Sequence, residues 1–225
     1  MHGVFILSLV MLSSFSLSLE GNFGLKISEN QEKSSRITRQ GDFVIHNEGV
    51  GVINLEYRFR DFIHEFSDVR IEINTDEPEA LGLMTRASFY YDGSEVPDLE
   101  VISEQLEYGD TTPELDRRVY AIFINSSMFQ TGEGIGVGST VRDLLGVYTF
   151  GEASFSEELW GEGEIFPPTL SIVVQEYPNM TFLVRNVHLK SQNPAVSDLP
   201  LNAEISSIDI TYPYGSYSTD STSVD

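Results

Sequence analysis

The chain has 225 residues, of which 35 are acidic and 13 basic, and it carries a formal charge of −22 with no cysteine. A field of that sign repels nucleic acid and anionic membrane surfaces, and the missing cysteine excludes disulfides, thiolate metal sites and a lipidated Cys. With 14 Phe and 10 Tyr there is enough apolar mass for one large domain or two small ones, held together by packing alone.

Residues Val4 to Leu19 are apolar or serine, without a charge. A bilayer span takes about 20 apolar residues, so this run is short for one. It fits the apolar region of a secretory signal peptide, with Ser16 and Ser18 near its end, although His2 stands where Lys or Arg is usual. The expectation is a signal peptide over 1–19 and a periplasmic or secreted protein, with membrane association only if the segment is uncleaved. Residues 20–41 lack apolar periodicity and read as a flexible leader, carrying Lys26, Lys33, Arg36 and Arg39. Residues 213–225 are mostly Ser, Thr, Tyr and Asp and read as a disordered tail.

Between these ends strands dominate. Val69, Ile71 and Ile73 alternate with polar residues, and Leu83 to Tyr91 stops at the turn signal Asp92-Gly93. Leu99 to Ile102 follows. Val119 to Ile124 is a continuous apolar run, the pattern of a central strand. Leu170 to Val174 and Met180 to Val184 flank Tyr177-Pro178-Asn179 as a hairpin, and Ile205, Ile208 and Ile210 close the set. Helices are few. Val141, Leu144, Leu145 and Tyr148 form one apolar stripe at i, i+3, i+4 and i+7. Thr140 and Asp143 have capping-box spacing before it. The expected fold is α+β: a predominantly antiparallel sheet with short helices packed on it.

The stretch GEGIGVGSTVRDLLGVY (132–148) resembles a phosphate cradle only superficially. A Walker loop needs Lys before Ser/Thr, but Gly138 stands before Ser139 and no Lys occurs from 34 to 189. The G-x-G-x-x-G pattern from Gly134 ends on Ser139. The structural role is a helix start: Gly134, Gly136 and Gly138 allow close approach or positive φ, and Ser139, Thr140 and Asp143 open the helix. A second copy, Gly49-Val-Gly-Val52, precedes Asp61, Phe62 and Phe66 as Gly134-Ile-Gly-Val137 precedes Asp143, Leu144 and Tyr148. This suggests two related α+β units, 42–118 and 119–212, with a helix over about Tyr57 to Phe66 in the first. There the strand period of Ile53, Leu55, Tyr57 and Phe59 competes with the helix period of Leu55, Phe59, Phe62, Ile63 and Phe66.

The run Ile124 to Tyr148, with its Thr131 before G-I-G-V-G-S-T, resembles a pattern in small exported bacterial proteins. The arrangement is similar to modules of the beta-lactamase-inhibitor-protein and BamE-like type. The resemblance implies an α+β module that acts by binding. It transfers no catalytic residue, and this chain lacks the lipidated Cys of the lipoprotein members.

No cofactor is expected, and no motif nominates a catalytic residue. His64-Glu65-Phe66-Ser67-Asp68 is a degenerate H-E-x-x-H on a helix and reads as ordinary surface. There is no G-x-S-x-G elbow. Asp92, Glu95 and Asp98 give only part of a calcium loop. The most suggestive surface is 150–168, read as a long connection. It carries Phe155, Glu157, Glu158, Trp160, Glu162, Glu164 and Phe166, aromatic anchors ringed by acid that suit a basic protein or peptide. The alternative for Trp160 is that it covers the sheet edge. The sequence therefore points to an exported binding or envelope-associated protein rather than an enzyme. The rival is a carboxylate-based or calcium-dependent extracellular hydrolase.

Overall fold

Strand-forming runs in the middle of the chain pair into a single large sheet. The computed structural model describes residues 43–55, 57–76, 84–91, 93–104, 112–157, 159–161 and 164–212, apart from the side chains of 76, 159–161 and 164–166. The expected signal segment, leader and tail lie outside these residues. The elements in order are β1 (Val44–His46), β2 (Gly49–Val50), β3 (Ile53–Asn54), α1 (Phe59–Phe62), β4 (Arg70–Asp76), β5 (Met84–Tyr90), β6 (Leu99–Ser103) and β7 (Val119–Ile124). After these come β8 (Gln130–Thr131), α2 (Val141–Val147), β9 (Phe150–Ser156), β10 (Leu159–Gly161), β11 (Glu164–Phe166), β12 (Thr169–Val174), β13 (Tyr177–Arg185) and β14 (Ser207–Thr211).

Eight strands form one antiparallel sheet in the order β4-β5-β6-β7-β14-β13-β12-β9. The fold is α+β, as the alternation implied. The apolar run at 119–124 is an interior strand, between β6 and β14. Its register with β14 sets Ile124 against Ile208 and Ile122 against Ile210. All four are fully buried, together with Leu99 and Val101 of β6 and Met180 and Phe182 of β13. Alternate residues such as Glu100, Phe123, Asp209 and Thr181 fall on the opposite face, as the two-residue strand period requires.

A second sheet, β3-β2-β1-β8, is antiparallel except that β1 runs parallel to β8. Ile45, Val50 and Ile53 of this sheet are buried in the same apolar cluster as Phe59 and Phe62 of α1 and Val141 and Leu144 of α2. The boundary drawn between residues 118 and 119 falls inside the large sheet. β6 and β7 stand on either side of it and pair from Leu99 opposite Ile124 to Ser103 opposite Val119.

Three local readings change. The hairpin between β12 and β13 turns at Gln175-Glu176, not at 177–179. Pro178 lies within β13, where the ladder skips from Val174–Tyr177 to Val173–Thr181, and such an irregularity is where a strand tolerates proline. The segment 150–168 is not a bare connection. It contains β9, the last strand of the large sheet, and the hairpin β10–β11. The helix expected over about Tyr57 to Phe66 is shorter: α1 covers Phe59–Phe62 and continues as a 3-10 turn over Ile63–Phe66, and of the competing strand-period residues only Ile53 lies in a strand, β3.

Arg117 is almost fully buried, and among the described residues its guanidinium meets neutral acceptors, the Thr85 hydroxyl (2.6 Å) and the Thr112 carbonyl (3.3 Å). Ser103 accepts from the Thr85 backbone N–H (2.9 Å), so the polar groups at this end of β5 and β6 satisfy one another.

Candidate functional site

The glycine stretch was the first candidate, and its backbone settles its role. Gly134 and Gly138 have φ of +85° and +88°, which only glycine adopts cheaply. Gly136 differs: a Cβ there would stand 2.4 Å from the Phe129 carbonyl oxygen, because Gly136 bridges to Gln130 of β8. An anion needs free N–H groups. Here they are bonded internally: Gly134 to the Thr131 carbonyl (2.9 Å), Ile135 to Thr131 Oγ1 (3.2 Å), Gly136 to Ser139 Oγ (3.1 Å) and Gly138 to the Ile205 carbonyl (2.9 Å). Thr140 N–H donates to Asp143 (2.9 Å), Asp143 N–H donates back to Thr140 Oγ1 (3.1 Å), and Val141 N–H bonds the Ala203 carbonyl (2.9 Å). The reciprocal pair is the capping box that the spacing predicted. The Thr140 bonds come first in holding the Asp143 carboxyl below its usual range. Leu144 is fully buried and Tyr148 nearly so, hence the apolar stripe of α2 faces the core.

Tyr148 closes this unit with a polar contact that the sequence did not reveal. Its hydroxyl donates to Glu133 (2.5 Å) and lies 2.6 Å from Thr131 Oγ1, while its ring meets Tyr177 edge-on with centroids 5.2 Å apart. That hydrogen bond is the main cause of a lowered Glu133 pKa, with burial opposing. Burial first, and the Glu133 contact second, push the Tyr148 hydroxyl above the usual tyrosine range. The phenol therefore stays protonated and the carboxylate ionised: a clamp across the glycine loop. Neither group is poised to exchange a proton near neutrality.

The acidic, aromatic segment offers an open hollow. Phe155, Glu157, Pro168, His188 and Leu189 line it. Phe155 faces inward and is 6% exposed, while Glu157 and His188 are exposed. The hollow forms because the chain after β13 turns at Asn186 (φ 59°) and returns along β9, where the Gln192 carbonyl accepts the Phe155 N–H (2.7 Å). Of the residues singled out in the sequence, Phe155 and Glu157 thus come together. Trp160, Glu164 and Phe166 sit on the hairpin β10–β11, with Trp160 opposite Ile165 and Phe166 opposite Leu159; their side chains lie outside the described residues, as do Glu158 and Glu162. Pro168 closes the segment 150–168 without having been singled out in it, and His188 and Leu189 were missed. The signal for them was faint: a turn-forming Asn186 just after an apolar strand.

Elsewhere His64 lies beside Glu65 (3.2 Å) on the exposed 3-10 turn, and among the described residues no three metal-ligating side chains converge. Asp209 is in the middle of the outer sheet face, between Phe123 and Thr181 in register. Burial pushes its carboxyl up to about 7, against the pull of Arg185. Among the described residues no second acid opposes it in the sheet register, and a single raised carboxyl defines no reaction.

No family model matches the sequence, and no curated protein does. Among solved structures the chain is similar to YfeY, an uncharacterised protein from Escherichia coli, with a TM-score of 0.50 and 10% identity over 75% of this chain and 99% of that one. At that identity the likeness is one of fold alone.

Proposed function

We propose that this is an exported protein that acts by binding, and that its ligand is a basic peptide or protein engaged by the hollow beside β9 and the adjoining hairpin β10–β11. The observation that supports this is the junction of an apolar floor, Phe155, Pro168 and Leu189, with the exposed Glu157 carboxylate and a glutamate-rich hairpin. An apolar centre with a charged rim suits a partner that buries one side chain and pairs its cations around it. The formal charge of −22 speeds the approach of such a partner and rejects acidic ones. Export is read from the apolar segment at 4–19, which N-terminal sequencing of the mature chain from cell fractions would test.

The binding reading is tested with the sole tryptophan, Trp160, as reporter. Titration with a lysine- and arginine-rich peptide should change its fluorescence, with an affinity that weakens as salt rises. An acidic peptide of the same length should leave it unchanged. Glu157→Lys should weaken the basic peptide several-fold without altering the melting temperature. Equal responses to both peptides would refute the proposal.

A further inference from the structure

The two outer strands of the large sheet are built differently. β9 is interrupted at Gly151, where two residues of β9 face the Val173/Val174 step, and its outward N–H at Phe155 is taken by Gln192. Bulges and covered donors are the usual ways a sheet edge is closed to other chains. β4, at the other edge, has neither among the described residues. It pairs with β5 over seven consecutive residues, Arg70 opposite Tyr90 to Asp76 opposite Met84, without irregularity, and it contains no Pro, Gly or Lys.

Which backbone groups of β4 point outward follows from β5. On β5 the Phe89 carbonyl accepts from Asp98 N–H, and Thr85 and Tyr91 N–H donate to Ser103 and Asp98, all toward β6. Successive residues of a strand alternate, so Arg86, Ser88 and Tyr90 bond toward β4, to Asn74, Glu72 and Arg70. The N–H and C=O groups of Ile71, Ile73 and Thr75 therefore point away from the sheet. Among the described residues none of these groups has a hydrogen-bond partner. Arg70, Glu72, Asn74 and Thr75 are exposed.

We propose that β4 pairs antiparallel with β4 of a second copy of this chain, about a two-fold axis at Ile73, joining two eight-stranded sheets into one. The sequence R-I-E-I-N-T-D is self-complementary in that register. Ile73 meets Ile73, Ile71 meets Thr75, Glu72 meets Asn74, and position 70, an arginine, meets position 76, an aspartate, at both ends. The outward groups of Ile71, Ile73 and Thr75 then form hydrogen-bonded pairs. The charged positions fall at the closely spaced non-hydrogen-bonded sites, where opposite charges help most. No like charges oppose each other. A register centred on Glu72 would set Glu72 against itself, and one centred on Asn74 would set Glu72 against position 76. The centre at Ile73 also uses the whole strand.

The test is the mass of the purified chain by sedimentation across a concentration series at physiological salt, which screens the net negative charge. A dimer in exchange with monomer is expected. Ile73→Pro deletes an outward N–H that the β4–β5 ladder does not use, so it should keep the circular dichroism and melting temperature while moving the monomer–dimer midpoint at least about tenfold higher in concentration. Arg70→Asp and Asp76→Arg should each raise the midpoint by opposing like charges. Arg70→Asp should also lower the melting temperature, because the Arg70 guanidinium stacks on Tyr90 (3.9 Å) and donates to the Ser94 carbonyl (3.0 Å). The double swap should restore the dimer. This charge arm stands even if the proline variant fails to fold. A monomer at every concentration, a dimer that both single charge variants leave intact, or a double swap that fails to restore it would overturn the proposal.

Discussion

The two glycine turns, one between β2 and β3 and one before α2, look alike in sequence but share out their work at a different register. In the first, Gly49 is the close-approach residue: a Cβ would stand 1.9 Å from the Ile53 carbonyl oxygen, while Gly51 carries positive φ at 56°. In the second, Gly136 makes the close approach and Gly138 the positive φ. By role, 49 and 51 correspond to 136 and 138, two residues beyond the match at 134 that the letters suggest. Both helices then use an aspartate in the same way. Asp61 accepts the Arg58 N–H (2.8 Å) as Asp143 accepts that of Thr140 (2.9 Å). Only the second has a cap residue whose side chain answers, and only the second ends in a tyrosine clamp where the first has Phe66. The lesson is that a glycine's function is set by what lies against it, and the spacing of glycines alone does not say which one is crowded.

Seven substitutions, in four comparisons, would break or sharpen this correspondence. The largest effect is expected at the crowded glycines. Gly49→Ala and Gly136→Ala each force a methyl into a backbone carbonyl and should cost about 3 kcal/mol or more, read as a fall in the urea midpoint. Similar stability for both variants and wild type would show that the roles are misassigned. Next is Tyr148→Phe, which removes the contacts to Glu133 and Thr131 and should cost about 1–2 kcal/mol near neutral pH. Its pH dependence carries more information. The Glu133 pKa is lowered in the folded chain, so its stabilisation is present above its ordinary pKa of 4.5 and is lost as pH falls through the folded value. The gap between Tyr148→Phe and wild type should therefore shrink in acid, whereas Phe66→Leu in the first unit should show no such trend. Gly138→Ala meets open space but keeps an unfavourable φ, and about 1 kcal/mol is expected. Thr140→Ala should cost about 1 kcal/mol by loss of the cap, against almost nothing for Arg58→Ala at the corresponding place, both measured by thermal melts.

How far the sequence could be read depends on what each residue's neighbours add. β7 was legible because an interior strand buried among others needs an unbroken apolar run, and 119–124 supplies one. α2 was legible because its stripe, cap and dipole-favouring aspartate agree. β9 was hidden: an edge strand buries little, and Phe-Gly-Glu-Ala-Ser-Phe-Ser has only Phe155 firmly inside. The hollow was half legible. Phe155 and Glu157 lie in one segment, but His188 and Leu189 reach it through a tertiary contact, the Gln192 carbonyl on Phe155, which no local pattern announces. The Tyr148–Glu133 clamp was equally invisible, because a stripe tells which residues turn inward and not what their polar tips will meet.

The last of the described strands, Ser207–Thr211, lies between β7 and β13, near the centre of the large sheet. Until it emerges, the strands made before it can assemble only as two separate halves, each with an open side. Cooperative closure of the sheet must wait for that strand, so the seven strands made before it stay in two open halves during synthesis. If the proposed export holds, that delay would leave a threading translocase time to act before folding.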